Sequence, residues 1–275
     1  MTQAQASLVA EGAAALQARI GSTFPKTVVV LGSGLGRFAG TLADATSVPY
    51  GDIPGFSRST VIGHSGNLIV GKAGEAPVAV MQGRIHAYEG HSREAIAAPI
   101  RILRRLGVER LILTNASGGL RLDMKPGTLV VIEDHINFSA FNPLIGPNDE
   151  SIGPRFPDMT DAYDSELRAK LAAAARKTGV PLKSGVYVFA IGPNFETAAE
   201  IRMYGKLGAD IVGMSTVPEC LVARHCGMKV AGISVVTNYA TGIAKQPLTH
   251  HETLAEAERA AEKLEALLRA FLQGI

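Results

Sequence analysis

Polar side chains follow an apolar run in MQGRIHAYEGH, residues 81–91, and their types fit the binding of an oxyanion. If a strand continues through this stretch, Arg84, His86 and Tyr88 lie on one face, because side chains alternate along a strand. Guanidinium and imidazole groups donate hydrogen bonds to phosphate, and the tyrosine adds a hydroxyl. The spacing therefore predicts an anion site at a sheet edge, where Glu89 either orients His86 or is a solvated charge.

The stretch VVVLGSGLGR, residues 28–37, contains a glycine-rich turn directly after a strand-like run. Backbone N–H groups of such a turn face an anion, and Ser33 adds a hydroxyl donor. The dinucleotide-binding fingerprint fits poorly, because Arg37 stands where the third glycine belongs and no acidic residue ends a strand about 20 residues later. A P-loop is excluded because no Gly-Lys-Ser/Thr follows. A phosphate-binding turn and a plain tight turn remain open at this point.

Three further loops offer hydrogen-bond donors near predicted strand ends. In LTNASGGL, residues 113–120, small side chains allow the backbone to approach a ligand closely. His64 lies in the glycine-flanked loop IGHSG, and Ser215 precedes a helix-like segment in VGMSTVPE. A serine at such a position is ordinarily a helix N-cap. Because strand ends form the ligand sites of α/β proteins, the combination nevertheless favours a binding site.

The elements that must position these residues alternate between strand-like and helix-like patterns. Strands are predicted over 27–31, 67–71, 77–82, 110–115, 127–132, 185–190, 209–214 and 229–238, and helices near 3–20, 92–106, 164–179, 196–207, 216–226 and 250–273. Several strands are apolar at every position, which favours strands covered on both faces. We therefore expect a single α/β domain over 1–275 with a large mixed central sheet flanked by helices.

Residues 137–160 break this alternation, with four prolines and no periodic pattern. A loop of this length in a compact domain is usually a lid, a binding loop or an interface. Phe138, Phe141 and Phe156 favour such a role over a solvated excursion, because aromatic side chains need a surface to pack on.

Composition excludes several classes of function. The chain has 275 residues and 27 basic against 25 acidic side chains, so no strong field attracts nucleic acid or an anionic membrane. No apolar run approaches the roughly 20 residues that cross a bilayer. Cys220 and Cys226 lack metal-ligand spacing, and no metal constellation is expected. The N-terminal segment lacks the basic start of a signal peptide, and we expect a cytoplasmic protein.

Taken together, the motifs resemble those of a known family, the trimeric purine nucleoside phosphorylases. The resemblance rests on GSGLG, MQGRIHAYEGH, TNASGGL, RFPDMTDAYD, GPNFET, LGADIVGMSTVPE, ARHCGM and VTNYATGI, which occur in this order over nearly the whole chain. VTNYATGI and the serine of TNASGGL are more similar to bacterial members than to vertebrate ones. The resemblance implies phosphorolysis of purine nucleosides, a homotrimer, and no cofactor besides phosphate as co-substrate.

The resemblance also implies roles for individual residues. Phosphate would be bound by Ser33, His64, Arg84, His86, Ala116 and Ser215; ribose by Tyr88, Met214, His251 and, from a neighbouring subunit, Phe156; and the base by Phe195, Glu196, Val212 and Asn238. His86, Glu196 and Asn238 are expected to be catalytic. THHET offers two histidines, of which His251 matches the family pattern better than His250.

Asn238 bears on the choice between related activities. The amide donates to N7 or O6 of a 6-oxopurine, where negative charge accumulates as the base leaves. The similar methylthioadenosine phosphorylases have aspartate here, which suits a 6-amino purine. Inosine and guanosine are therefore the expected substrate type. A methylthioadenosine phosphorylase, a nicotinamide-dependent oxidoreductase and an inactive nucleoside-binding protein are the alternatives.

Two other histidines are expected to be structural. His135 stands beside Glu133 and Asp134 in EDHIN, but sequence neighbours seldom form a catalytic relay. His225 lies on an apolar helix and is predicted to be a satisfied core residue.

Overall fold

The fold is a three-layer arrangement in a computed structural model that describes residues 1–61, 63–243 and 247–275. The strands of the described part are β1 (Thr27–Val30), β2 (Ala43–Pro49), β3 (Asn67–Ala73), β4 (Ala76–Met81), β5 (Arg110–Gly119), β6 (Leu129–Asn137), β7 (Leu182–Phe189), β8 (Ile211–Gly213) and β9 (Lys229–Tyr239). The α-helices are α1 (Gln3–Ile20), α2 (Arg93–Arg105), α3 (Ser165–Thr178), α4 (Ala198–Lys206), α5 (Val217–His225) and α6 (His250–Leu272).

One mixed sheet organises these elements in the order β2-β3-β4-β1-β5-β8-β7-β6-β9. Strand β9 also pairs with β5, so β5, β8, β7, β6 and β9 close into a ring. Strands β4, β1, β5 and β9 run parallel to one another. Their carboxyl ends therefore meet at one edge of the sheet, and the predicted site residues follow these ends.

Both faces of the sheet are covered, as the continuous apolar strands predict. In β1, Val28 and Val30 pack into one hydrophobic core, whereas Val29 packs into a second core on the other face. The second core includes the apolar stripe of α6, from Ala257 to Phe271. The sheet is therefore held rigidly from both sides, which fixes the strand ends that carry polar residues.

The predicted mixed α/β fold is confirmed, and all six helices lie within two residues of their predicted bounds. Strand β2 was not predicted, because Ala43–Pro49 is an edge strand whose residues are mostly exposed and lack a continuous apolar run. It also ended β5 too early, since the strand continues through the small residues to Gly119. Residues 138–160 contain no helix or strand, in agreement with the predicted irregular segment.

Strand β4 ends at Met81 and does not continue through Tyr88, so the alternation considered for Arg84, His86 and Tyr88 does not apply. Gly83 has a φ of 104°, which ends the strand, and Tyr88 lies in a short 3-10 helix over Ala87–Glu89. Arg84 and His86 lie outside helices and strands, and the backbone of His86 is extended. The three side chains still meet, as described below, although alternation along a strand is not the reason.

Candidate active site

A cavity of about 290 Å³ lies at the edge where the parallel strands end. Its wall includes Gly32, Ser33, Val61, Arg84, His86, Tyr88, Asn115, Ala116, Ser117, Gly118, Pro193, Phe195, Glu196, Val212, Gly213, Met214, Ser215, Thr237, Asn238, Ala240, His250 and Thr253. Most of the predicted site residues thus line one cavity, although they come from separate parts of the chain.

Arg84 is fixed at one end of the cavity by backbone carbonyls and a buried carboxylate. Its Nη1 donates to Thr114 O at 2.7 Å, and its Nη2 donates to Val30 O at 3.3 Å. Its Nε lies 2.8 Å from Glu219 Oε1 on α5, but the N–H does not point at that oxygen. The contact is therefore an ion pair rather than a well-aligned hydrogen bond. A charge-balanced guanidinium is held rigidly under the cavity.

Ser33 reaches the cavity from the glycine turn, with His64 behind it. Gly32 is required at this turn because a Cβ there would lie 2.8 Å from Asn115 Cα on β5. His64 Nε2 lies 3.0 Å from Ser33 Oγ, and its Nδ1 accepts from the Arg84 backbone N–H at 3.2 Å. Burial, together with the neighbouring charges of His86 and Arg84, lowers the pKa of His64 to about 3.

A neutral His64 with an accepting Nδ1 carries its proton on Nε2, so it donates to Ser33 Oγ. The proton of Ser33 is then available for an acceptor in the cavity. His64 therefore acts through Ser33 and is not itself in the cavity wall. Gly83 makes room for it, because a Cβ at this position would collide with the His64 ring.

Glu89 orients His86. The sequence had left open whether Glu89 does this or is a solvated charge. Glu89 Oε1 accepts from the backbone N–H of His86 at 2.7 Å and lies 3.0 Å from its Nδ1. Burial opposes ionisation of Glu89, but hydrogen bonds from His86 and Thr60 outweigh it and lower the pKa of the carboxyl. With Nδ1 directed to Glu89, His86 presents Nε2 to the cavity. Its ring stacks on Tyr88 at 4.8 Å between centroids.

Ser215 completes this end of the cavity and is not a helix N-cap, because α5 is capped at Thr216. The Ser215 Oγ accepts from Arg84 Nη1 at 3.3 Å. Ala116, on β5, lines the wall beside it. Ser33, Arg84, His86 and Ser215 thus surround one volume with hydrogen-bond donors, which is the arrangement that binds an oxyanion.

The opposite end of the cavity has a different chemistry, formed by Phe195, Glu196, Val212 and Asn238. Glu196 precedes the capping box of α4, in which Thr197 Oγ1 accepts from Glu200 N and the Glu200 carboxylate accepts from Thr197 N. This cap fixes the chain that carries Glu196. The aromatic and aliphatic side chains suit a flat ring, and the carboxylate and amide suit its polar edge.

Burial raises the pKa of Glu196 above its ordinary value; its own backbone N–H partly offsets this effect, and the Glu200 charge adds to it. The ionised carboxylate is thus poorly solvated in the empty cavity. A ligand that donates hydrogen bonds to Glu196 would restore part of the lost solvation. At Asn238, the Thr237 hydroxyl lies 3.1 Å from Oδ1, and Nδ2 donates to Tyr239 O at 3.1 Å.

Two predicted ribose residues do not line the cavity of this chain. His251 is exposed and outside the wall, whereas His250 lies in it. Consecutive helical residues point about 100° apart, so only one of the two histidines at the start of α6 faces the cavity. In this structure His250 lines the cavity and the predicted His251 does not, so the assignment of the ribose contact to His251 stays a prediction. Phe156 is 88% exposed and lies outside the wall as well, whereas Tyr88 and Met214 line it.

Asn115, Ser117 and Thr237 line the cavity but were not selected from the sequence. All three lie on strands β5 and β9 and are buried. The available signal was polarity: Asn115 and Ser117 interrupt an apolar strand in LTNASGGL, and buried polar groups need partners.

The remaining candidates behave as structural residues. His135 Nδ1 contacts Tyr163 Oη at 3.2 Å. The buried His225 contacts Asn148 Oδ1 through Nε2 at 3.0 Å, but its Nδ1 has no hydrogen-bond partner among the described residues, so the prediction of a satisfied core histidine is confirmed only in part. Cys220 and Cys226 are buried free thiols. In the described ranges, no group of three or more His, Cys, Asp or Glu side chains is placed to hold a metal ion. Among the helices described, none combines the length and the apolar character needed to span a membrane.

Comparisons with known proteins show the family of this chain. The profile of the Phosphorylase superfamily matches residues 26–273. Purine nucleoside phosphorylase 1 of Geobacillus stearothermophilus is 48% identical over 253 residues, covering 92% of each chain. Purine nucleoside phosphorylase of Bos taurus is 45% identical over 258 residues, covering 91% of this chain and 89% of the relative.

Solved structures give the same result. A Schistosoma purine nucleoside phosphorylase in complex with hypoxanthine superposes with a TM-score of 0.93 at 38% identity, covering 100% of this chain and 99% of that chain. The Schistosoma mansoni enzyme with inosine gives a TM-score of 0.92 at 39% identity, covering 98% and 96%. The chain therefore belongs to the phosphorylase superfamily and, within it, to the purine nucleoside phosphorylase family.

Proposed function

We propose that this chain catalyses the phosphorolysis of purine ribonucleosides and deoxyribonucleosides of the inosine and guanosine type. Inorganic phosphate displaces the base, giving a free purine and ribose or deoxyribose 1-phosphate. The observation that carries the proposal is one cavity with an oxyanion donor set at one end and a buried carboxylate and amide at the other. Relatives named purine nucleoside phosphorylase support it.

In the proposed reaction, a phosphate oxygen forms a bond to C1′ while the bond from C1′ to N9 breaks. The electron pair of the broken bond leaves with the purine, so charge develops in two places: positive on the sugar and negative on the base. Monohydrogen phosphate loses its proton and the purine gains one, which leaves a dianionic sugar phosphate and a neutral base. Catalysis requires groups that stabilise both charges.

At the phosphate end, Ser33, Arg84, His86 and Ser215 hold the nucleophile beside C1′. Ser33 and His86 are themselves oriented by His64 and Glu89, so little reorganisation is needed when phosphate binds. Binding the anion and the nucleoside in one cavity also makes the attack effectively intramolecular. The proposed reaction uses phosphate as its co-substrate and no further cofactor.

At the base end, Asn238 donates to N7 or O6 as negative charge develops there. Glu196 accepts from N1–H and, in guanosine, from the 2-amino group. These contacts supply the hydrogen bonds that the buried Glu196 carboxylate needs. Tyr88, Met214 and His250 also line the cavity, and we place the ribose against them. Losing one such preorganised contact typically lowers turnover by about 10²–10³.

Phe156 supports a homotrimer in which each subunit completes the ribose site of a neighbour. The Phe156 side chain is 88% exposed, so its ring is accessible to a neighbouring subunit. The aromatic segment around it would then be part of the subunit interface. Light scattering tests the assembly, with an expected mass of three times 28.8 kDa.

We further propose a cytoplasmic role in purine salvage.

A coupled assay with inosine tests the activity. We expect hypoxanthine and ribose 1-phosphate only when phosphate is present. Phosphate-independent cleavage would indicate a hydrolase, and no cleavage with tight inosine binding would indicate a binding protein. Faster turnover of methylthioadenosine than of inosine would favour the related phosphorylase activity, against which Asn238 argues. Binding of NADH would revive the oxidoreductase alternative.

A further inference from the structure

Thr216, next to the phosphate end, has an unusual backbone conformation. Its φ is 74° and its ψ is −50°, and Val217 N donates to Ser215 O at 2.8 Å across it. These values define a γ-turn of the strained kind, which a β-branched residue rarely adopts. Strain of this type persists only where the surroundings enforce it, and it is concentrated at functional sites.

A chain of buried side chains enforces the turn. Asn115 Nδ2 donates to Thr216 Oγ1 at 2.8 Å, and Ser234 Oγ lies 2.6 Å from both Asn115 Oδ1 and Ser117 Oγ. Thr216 Oγ1 lies 3.2 Å from Ser215 Oγ. Thr216 and Ser234 are fully buried, so each hydroxyl proton needs a protein acceptor.

The direction of each hydrogen bond in this chain follows from its members. Asn115 Oδ1 only accepts, so Ser234 donates to it, and the same Ser234 hydroxyl also faces Ser117 Oγ as the donor. Thr216 Oγ1 accepts from Asn115 and, among the described residues, contacts Ser215 Oγ as the acceptor for its own proton. Ser215 Oγ therefore accepts twice, from Thr216 and from Arg84 Nη1.

A serine oxygen that already accepts two hydrogen bonds directs its proton elsewhere. Ser215 lines the cavity, and its other polar neighbour is the buried Tyr187 hydroxyl. We propose that Asn115 and Thr216 are positioning residues that force the Ser215 hydroxyl to donate to the bound phosphate. The strained γ-turn brings Thr216 Oγ1 to Ser215. Because Thr216 Oγ1 already accepts from Asn115, it donates to Ser215 Oγ instead of accepting the Ser215 proton. His64 performs the same task for Ser33 on the opposite side of the anion. This inference rests on the proposed binding of phosphate in this cavity.

Thr216→Val tests the inference, because valine keeps the shape and the branched Cβ but removes the hydroxyl. We expect the phosphate KM to rise about tenfold, as for one lost hydrogen bond to a charged group. The inosine KM should change little, since the base end is untouched. Thr216→Ser, which keeps the hydroxyl, should retain a low phosphate KM. A general loss of packing would instead raise both KM values.

The matched control is Thr27→Val, which removes another buried threonine hydroxyl at the far end of β1, where it accepts from Arg110 Nη1 at 3.2 Å. A phosphate KM for Thr216→Val no higher than that of Thr27→Val would overturn the inference. Phosphate-independent or absent activity in the unaltered protein would instead overturn the proposed function, so the two failures are distinguishable.

Thr216→Gly keeps the test decisive if the valine variant does not fold. Glycine adopts a positive φ without strain, so this variant should unfold at a temperature no lower than that of Thr216→Val. It lacks the hydroxyl, so its phosphate KM should still rise about tenfold. A glycine variant with an unchanged phosphate KM would contradict the role assigned to the threonine hydroxyl.

Discussion

The two ends of the cavity differ in how completely their polar groups are satisfied before any ligand binds. At the phosphate end, the Glu89 carboxylate receives hydrogen bonds that lower its pKa. At the base end, Glu196 has a raised pKa because burial is only partly offset by hydrogen bonding. The phosphate end is thus preorganised by the fold, whereas the base end is completed by the substrate.

This difference has a physical origin in the elements that carry each end. The phosphate end is built on the carboxyl ends of β1, β4 and β5 and is fixed by side chains that donate to or accept from strand backbone. The base end depends on the segment between β7 and α4, where Phe195 is exposed. Binding energy at the base end is therefore available for recognising the purine, at the cost of a less stable empty site.

The largest effect is expected from Glu219→Ala at the preorganised end. The substitution leaves the Arg84 guanidinium buried without its counter-ion, which should lower the free energy of unfolding by about 3–5 kcal/mol. Urea unfolding measures the loss. The control is Glu262→Ala, which breaks the exposed pair with Arg37 and should cost about 1 kcal/mol or less. Equal losses of unfolding free energy in both variants would show that Glu219 stabilises the buried Arg84 charge no more than an exposed ion pair does.

Asn238→Asp should have the next largest effect and should act on catalysis. The aspartate replaces a donor to N7 or O6 by an acceptor, so inosine turnover should fall by about 10²–10³. The relative rate on adenosine should improve, because a 6-amino group donates to the carboxylate. Steady-state kinetics on both nucleosides decide the matter. Equal losses of turnover on inosine and adenosine would contradict the assignment of base selectivity to Asn238.

Glu196→Gln should stabilise the empty protein while impairing it as an enzyme. Because the pKa of Glu196 is raised in the folded state, ionisation costs stability above the ordinary value near 4.5 and costs nothing well below it. The variant should therefore melt at a higher temperature than the unaltered protein at neutral pH, and this advantage should vanish in acid. Thermal unfolding across this pH range measures it. A pH-independent difference would mean that Glu196 is adequately solvated.

The smallest effect is expected from Phe156→Ala. If Phe156 covers the ribose of a neighbouring subunit, the substitution should raise the nucleoside KM several-fold and leave the phosphate KM nearly unchanged. Ile145→Ala, on the same segment and also exposed, is the control. An unchanged nucleoside KM would refute the placement of Phe156.

Much of the phosphate end could be predicted from the sequence because its signals are local. Apolar runs locate the strands, and glycines and polar residues such as Ser33 and Arg84 follow their ends. The hydrogen-bond directions could not be predicted, since a positive φ at Thr216 contradicts the preference of a β-branched residue and has no sequence signature. The choice between His250 and His251 depends on the rotation of one helical turn. The missed strand β2 lacks a continuous apolar run because it is an exposed edge.

The central claim is that one oxyanion binds between the glycine turn and the Arg84 guanidinium, with a purine at the other end of the same cavity. A crystal structure with phosphate and hypoxanthine tests it most directly. We predict phosphate density within hydrogen-bond distance of Ser33, Arg84, His86 and Ser215, and hypoxanthine between Glu196 and Asn238. Phosphate found elsewhere, or an empty donor set at saturating phosphate, would contradict the account.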